Sequence, residues 1–171
     1  MAVLLGTSGA LAGAQETRAS ETEVKAALVY NFVKFVEWPA DTLREGSDVA
    51  VCVNGNEQIA TAISLIQGRK LNGHRLTVRR RKPDEDDSAC HVMFMGDRQR
   101  WSPLLSRMRG LPVLTIGDGE EFVRRGGMIA FVLENDRVRF MMNPAAGERA
   151  RLKISSRLLA LARIVQEEKG F

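Results

Sequence analysis

Residues 48–56 read DVAVCVNGN, and this stretch decides the fold. An apolar run that closes on Asn-Gly-Asn predicts a buried strand emerging into a tight loop. A helical pattern over 57–66 follows at once, so strand, short polar loop and helix form the opening unit of an open α/β sheet. In such sheets the first strand lies toward the middle. The stretch also carries Cys52, one of only two cysteines. The other, Cys90, opens the next strongly apolar run, CHVMFMG. If the two runs are neighbouring strands, a Cys52–Cys90 disulfide would clamp the core. Two buried, reduced thiols are the alternative, because Cys52 lies late in its strand and Cys90 early in its own, an offset that strains disulfide reach in a parallel pair.

Upstream, Ser20 with Glu23 three residues later is a capping box, so a helix begins there, and Trp38-Pro39 is its expected stop. The helix carries two apolar stripes. Val24, Ala27, Leu28 and Phe35 form one; Val29, Phe32, Val33 and Val36 form the other. A helix lying on a sheet needs one stripe. The second is free to pack against the C-terminal helix or against another chain. Downstream, 75–81 alternates as a half-buried strand near an edge, 84–87 is an acidic loop, 91–95 a buried strand, 97–108 a helix and 112–116 a further strand. A short helix at 120–125 leads to Gly126-Gly127. Residues 128–133 and 137–142 read as a hairpin joined at Glu134-Asn135-Asp136. Asn143-Pro144 caps a short helix, and Ser155 or Ser156 caps a last one bearing Leu158, Leu161, Ala162 and Val165. The expected architecture is one α/β domain over 21–168: a three-layer, open, mainly parallel sheet of the flavodoxin or Rossmann kind, with a C-terminal hairpin and helix.

A chain of 171 residues with 44% hydrophobic and 27% charged content suits one soluble core and excludes fibrous and disordered classes. Residues 1–14, MAVLLGTSGALAGA, carry no charge and place Ala12 and Ala14 before Gln15. That pattern reads as the back half of an export signal lacking its basic start; an apolar N-terminal tail is the plainer alternative. No later run is long and apolar enough for a membrane-spanning helix. Export favours the disulfide, because oxidising compartments preserve it. The net charge of +4 does not imply nucleic acid, since Arg79, Arg80, Arg81 and Lys82 are followed directly by Asp84, Glu85, Asp86 and Asp87, whose field opposes theirs. For an exported protein the basic cluster reads as a solvated strand edge, Arg79 and Arg81 included, or as attraction to an anionic membrane surface.

Ligands in open α/β sheets bind beyond the carboxyl ends of the strands, where this chain offers Asn54, Gly55, Asn56, Asp97 and Asp118. Neither G-x-G-x-x-G nor a Walker pattern is present. His74 and His91 accompany no nucleophile elbow and no zinc-ligand spacing, so no cofactor or metal is implied. Asp97 and Asp118 are a carboxylate pair only in principle, since loop aspartates after strands commonly cap the next helix. The chain is therefore not expected to be an enzyme. A small-ligand module using this crevice is one rival reading; a hydrolase with the carboxylate pair is another.

The order of VKAALVYNFVKFVEWP, VAVCVNG, GRKLNGHRLTVRR, ACHVMFMG, LPVLTIGDGEEFVRRGGMIAFV, VRFMMN and LKISSRLLALARIV resembles the YfiR family of exported proteins over essentially the whole of 21–165. The resemblance implies a periplasmic negative regulator. Similar proteins bind the periplasmic sensor portion of an inner-membrane diguanylate cyclase and hold it inactive, which restrains cyclic-di-GMP synthesis and biofilm formation. It further implies a homodimer and an outer-membrane lipoprotein that relieves repression. The family also occurs beside sensor kinases and receptors, the setting in which a ligand-sensing role would arise. A protein acting by contact needs an apolar patch that the monomer leaves uncovered. The candidates are Val29, Phe32, Val33 and Val36 on the first helix, and Leu152 and Ile154 near the C-terminus.

Overall fold

The computed structural model describes residues 19–55 and 57–167; the signal-like segment 1–14, Asn56 and Glu168 lie outside the described residues. Ser20 caps α1 (Glu21–Lys34) with the reciprocal bonds of a capping box: the Glu23 amide donates to Ser20 Oγ at 3.3 Å, and the Ser20 amide to Glu23 Oε2 at 2.7 Å. The helix ends before the expected Trp-Pro stop. Val36–Glu37 turns extended as β1 and pairs antiparallel with β9 (Lys153–Ile154), Val36 facing Ile154. A ladder to a segment far along the chain thus overrides the local stop signal.

The quoted stretch forms β2 (Val49–Asn54), followed by α2 (Glu57–Ser64), a two-residue β3 (Lys70–Leu71) and β4 (His74–Arg80). Then come β5 (Val92–Met95), α3 (Trp101–Met108), β6 (Leu114–Asp118), α4 (Glu120–Arg124), β7 (Ile129–Glu134) and β8 (Arg137–Met142). The chain closes with α5 (Pro144–Arg149), β9, α6 (Ser156–Leu161) and β10 (Arg163–Ile164). Among the described residues the main sheet runs β10-β8-β7-β6-β5-β2-β4-β3. Strands β4, β2, β5, β6 and β7 are parallel in that order. Counted along the chain, this is the flavodoxin-type order 2-1-3-4-5. Strand β2 is interior, as its reading requires.

The strict alternation of strand side chains divides the core in two. Val51, Val53, Val92 and Phe94 face α1 and α2, whereas Cys52, Met93 and Met95 face α3 and α4 with Trp101, Leu104 and Phe122. Both faces are covered, which is why these strands read as continuous apolar runs. The β7–β8 hairpin turns on Asn135 and Asp136, at φ 50° and 57°. Positive φ at both residues suits a two-residue type I′ turn, and Asn and Asp tolerate it. The expected last helix is shortened: α6 stops at Leu161, because Arg163–Ile164 joins β8 as an edge strand and the Val165 amide donates to Met142 O at 2.8 Å.

Candidate functional site

The strand order reverses between β2 and β5, so the crevice, if open, lies between Asn54 and Gly96. There the backbones draw together instead. The Gly96 amide donates to Asn54 O at 2.6 Å, and a Cβ on Gly96 would stand 3.1 Å from Gly55 Cα. Glycine serves close packing at this point, not a phosphate cradle. Beside it a groove of about 800 Å³ runs between the first turns of α1 and α2, lined by Glu21, Glu23, Glu57, Asp118 and, among the described residues, one cation, Lys25. Lys25 Nζ lies 2.6 Å from both Asp118 Oδ1 and Glu21 Oε1. Burial works to lower the Lys25 pKa, but the bonds to Asp118 and Glu21 outweigh it and the net shift is upward, so the ammonium stays charged.

Asp97 and Asp118 are not a working pair. Asp97 Oδ1 accepts from the Gln99 amide at 3.1 Å and caps the 3-10 turn Arg98–Arg100, with Arg100 at 3.4 Å from its other oxygen. Asp118 is committed to Lys25. Of the predicted crevice residues that are described, Asp118 alone lines the groove; Asn54, Gly55 and Asp97 do not, although Asn54 Nδ2 is buried without a hydrogen-bond partner. Among the described residues no group of His, Cys, Asp and Glu is placed to hold a metal.

Cys52 and Cys90 are bonded, with Cα atoms 5.9 Å apart. The strand offset does not prevent the bridge: a 3-10 turn, Asp87–Ala89, and a bend at His91 precede β5, and Cys90 stands within reach of Cys52. A cover of opposite charges closes over the bridge. Arg79 pairs with Glu85 and its Nη2 lies 3.7 Å from Cys90 Sγ; Arg81 Nε donates to Asp87 Oδ1 at 2.7 Å; and Arg107 of α3 stands 2.9 Å from Asp87 Oδ2. The solvated-edge reading of Arg79 and Arg81 is therefore corrected. Alternation along β4 puts both on the disulfide face, and the acidic run folds back over them. The signal was present in the sequence as matched charges on either side of a short loop. Glu85 sits below its usual carboxylate pKa, first through the Lys82 amide and then through Arg79.

His91, beside Cys90 and just before β5, is a packed structural residue. Its Nδ1 accepts from the Ala50 amide at 2.9 Å, its carbonyl accepts from Trp38 Nε1 at 3.1 Å, and burial pushes its pKa down.

The expected contact patches are not free surface. Val29, Phe32, Val33 and Val36 are buried, with Phe32 edge-on to Phe140 at 4.9 Å and stacked on Phe131 at 5.7 Å. Leu152 is buried too, and Ile154 is half-buried on the same core. The two patches meet at one point, where β1 pairs with β9 and Val36 faces Ile154; next to it the Ser155 amide donates to Phe35 O at 2.9 Å. The large apolar side chains left exposed among the described residues are Leu65 just after α2, Leu133 at the end of β7, Leu161 and Ile164.

A family model described as YfiR/HmsC-like matches residues 22–163. Among solved structures the chain is similar to a conserved domain protein from Vibrio cholerae O1 biovar El Tor, at 14% identity and a TM-score of 0.52, over 85% of this chain and 60% of that one. The chain thus spans about 60% of the length of that relative, and the likeness is one of fold. No curated protein matches.

Proposed function

The chain belongs to the YfiR/HmsC-like family, whose members are periplasmic regulators of diguanylate cyclases, and on that premise we propose that it is a non-enzymatic periplasmic repressor acting by protein contact. It binds the periplasmic sensor region of an inner-membrane diguanylate cyclase and holds the enzyme inactive, lowering cyclic-di-GMP and biofilm formation. Self-association as a dimer and relief by an outer-membrane lipoprotein belong to the same reading. The family match over 22–163 carries it. The strand ends support it, since Asp97 and Asp118 are spent on a turn cap and an ion pair. The disulfide fits an oxidising compartment, and no helix among the described residues is long and apolar enough to cross a membrane.

Because the first-helix stripe is buried, contact through apolar surface falls, among the described residues, to Leu65, Leu133, Leu161 and Ile164. Deleting the gene should raise cyclic-di-GMP, and the wild-type protein should restore it while Leu161→Glu/Ile164→Glu should not. An unchanged cyclic-di-GMP level on deletion rejects repression. A second reading, a small-ligand sensor for a membrane receptor or kinase, is favoured by the acid-rich groove. Titrating a diamine such as putrescine into wild type and Asp118→Asn tests it; no heat in either rejects a cation-binding groove.

A further inference from the structure

At the opposite end of the sheet, where β6 and β7 begin, a cavity of about 310 Å³ opens between the ends of α3, α4 and α5. Small-ligand pockets start at about this volume. Among the described residues its rim carries four arginines, Arg109, Arg124, Arg125 and Arg149, and one carboxylate, Glu167. Arg124 and Arg125 are also held from outside by Glu120 and Glu121, one helical turn back. Arg109 and Arg149 converge on Glu167: Arg109 Nη1 lies 3.4 Å from Oε1, and Arg149 Nη2 donates to Oε2. The floor is different in kind. Leu105, Met108 and Met128 line it, all buried in the fold. Thr115, 3% exposed, also lines it; its Oγ1 accepts from the Met128 amide at 3.0 Å, which leaves its own O–H as a spare donor.

Glu167 comes from the segment that follows β10, after Val165 has paired with β8. Gly126, at φ +100°, keeps its backbone against that carboxylate: a Cβ there would stand 3.3 Å from Glu167 Oε1. The chain has therefore placed a carboxylate of its own on a pair of guanidiniums above an apolar floor. Two guanidiniums on one carboxylate leave cationic capacity over, and arginine recognises carboxylates by matched geometry.

We propose that this cavity is a binding site for a small organic carboxylate with an apolar body, and that Glu167 is a built-in competitor which the ligand displaces. The carboxylate takes the place of the Glu167 head between Arg109 and Arg149, and the body lies on Leu105, Met108 and Met128. Displacement frees the segment after β10, at the edge of the sheet. An internal competitor reduces apparent affinity by the fraction of molecules in which the site is vacant, so removing the competing charge should raise it.

The test uses the full chain and benzoate, with inorganic phosphate in parallel, by isothermal titration calorimetry at low and moderate sodium chloride. Glu167→Gln keeps the shape of the side chain and removes its charge; it should bind benzoate at least tenfold more tightly than wild type, less tightly as salt rises. Adding Arg109→Gln and Arg149→Gln should abolish that gain, and far-UV circular dichroism should show all three proteins folded. Equal benzoate affinity in wild type and Glu167→Gln, or none in either, makes the cluster a structural clasp and overturns the proposal. Phosphate bound by Glu167→Gln as tightly as benzoate means the floor is unused and overturns the assignment of ligand class.

Discussion

Replacing Arg81 with Met tests the cover over the disulfide. The Arg81 side chain is 5% exposed and that of Asp87 2%. Besides its 2.7 Å bond to Asp87, Arg81 donates through Nη1 to Lys82 O at 3.0 Å and Pro83 O at 3.2 Å. Removing one partner of a buried pair typically costs about 3–5 kcal/mol, because the other charge stays buried and uncompensated. Here Arg107 remains beside Asp87, but it is 52% exposed and its attraction is screened by water. We therefore expect the low end, about 3 kcal/mol, which at roughly 2–4 °C per kcal/mol for a chain of this size is a fall of about 6–12 °C in Tm. Arg81→Met/Asp87→Leu removes both buried charges and lets Arg107 return to solvent, so it should lie within about 1 kcal/mol of wild type. Urea denaturation of the wild type, the two single variants and the double variant measures the coupling directly. A loss under about 1 kcal/mol for Arg81→Met would mean that the pair is solvated. A double variant as unstable as the single would show that packing, not the uncompensated charge, sets the cost.

The disulfide closes a separation of 38 residues, for which chain entropy gives about 4 kcal/mol; Cys52→Ser should lose about that much in oxidising buffer and much less with dithiothreitol, and equal losses would point to packing. His91 is held below the ordinary histidine pKa of 6.5, first by burial and then by His74. The unfolded chain then takes up a proton that the folded one refuses, so this contribution is complete above about pH 6.5 and is lost as pH falls toward the depressed folded value. Tm should therefore decline on going from pH 7 to 5, less steeply in His91→Gln, and parallel profiles would remove His91 as the cause. The depressed carboxylates Glu23, Glu85, Asp86 and Glu121, whose ordinary values are 4.5 for Glu and 3.8 for Asp, act in a lower window, their stabilisation being lost as pH falls through it. A Cβ on Gly127 would stand 2.2 Å from Phe122 Cε1, so Gly127→Ala should cost about 1–3 kcal/mol by overpacking; an unchanged urea midpoint would show that the ring has room to move.

What is legible in the sequence is whatever depends on period and on local chemistry. The run VAVCVNG, the Ser20/Glu23 box, the Asn143-Pro144 cap and the Asn135-Asp136 turn each encode their geometry within a few residues, and each stands where its pattern places it. What the sequence hides depends on partners far along the chain. Nothing near Val36 says that it will pair with Ile154, so the local pattern runs the first helix past its true end at Lys34. The last helix is overextended for the same reason, since β10 exists only because β8 offers it an edge. At the candidate site, position after a strand suggests chemistry for a carboxylate, yet what decides its role is who reaches it, and Lys25 arrives at Asp118 from a helix 93 residues away.

The apolar surplus on α1 shows how a sound premise leads to the wrong surface. A helix resting on a sheet needs one stripe, but α1 also packs against α2, and the chain leaving it pairs with β9, so it has neighbours on more than one side. Its second stripe is core. The motifs that carry the family resemblance behave alike. The Trp of Phe-x-x-Trp-Pro donates to the carbonyl of the His in Cys-His, the cysteine of Cys-His closes the bridge to β2, and the second glycine of Gly-Gly-Met-Ile makes room for the Phe122 ring. Each of these residues holds the scaffold. The large apolar side chains left exposed among the described residues, Leu65, Leu133, Leu161 and Ile164, are by contrast not packed into the core, although Leu161 and Ile164 stand in LKISSRLLALARIV, a stretch that also carries the resemblance. A resemblance motif therefore mixes positions that hold the core, such as Leu158, with positions that face solvent, such as Leu161, and the motif alone does not tell the two apart.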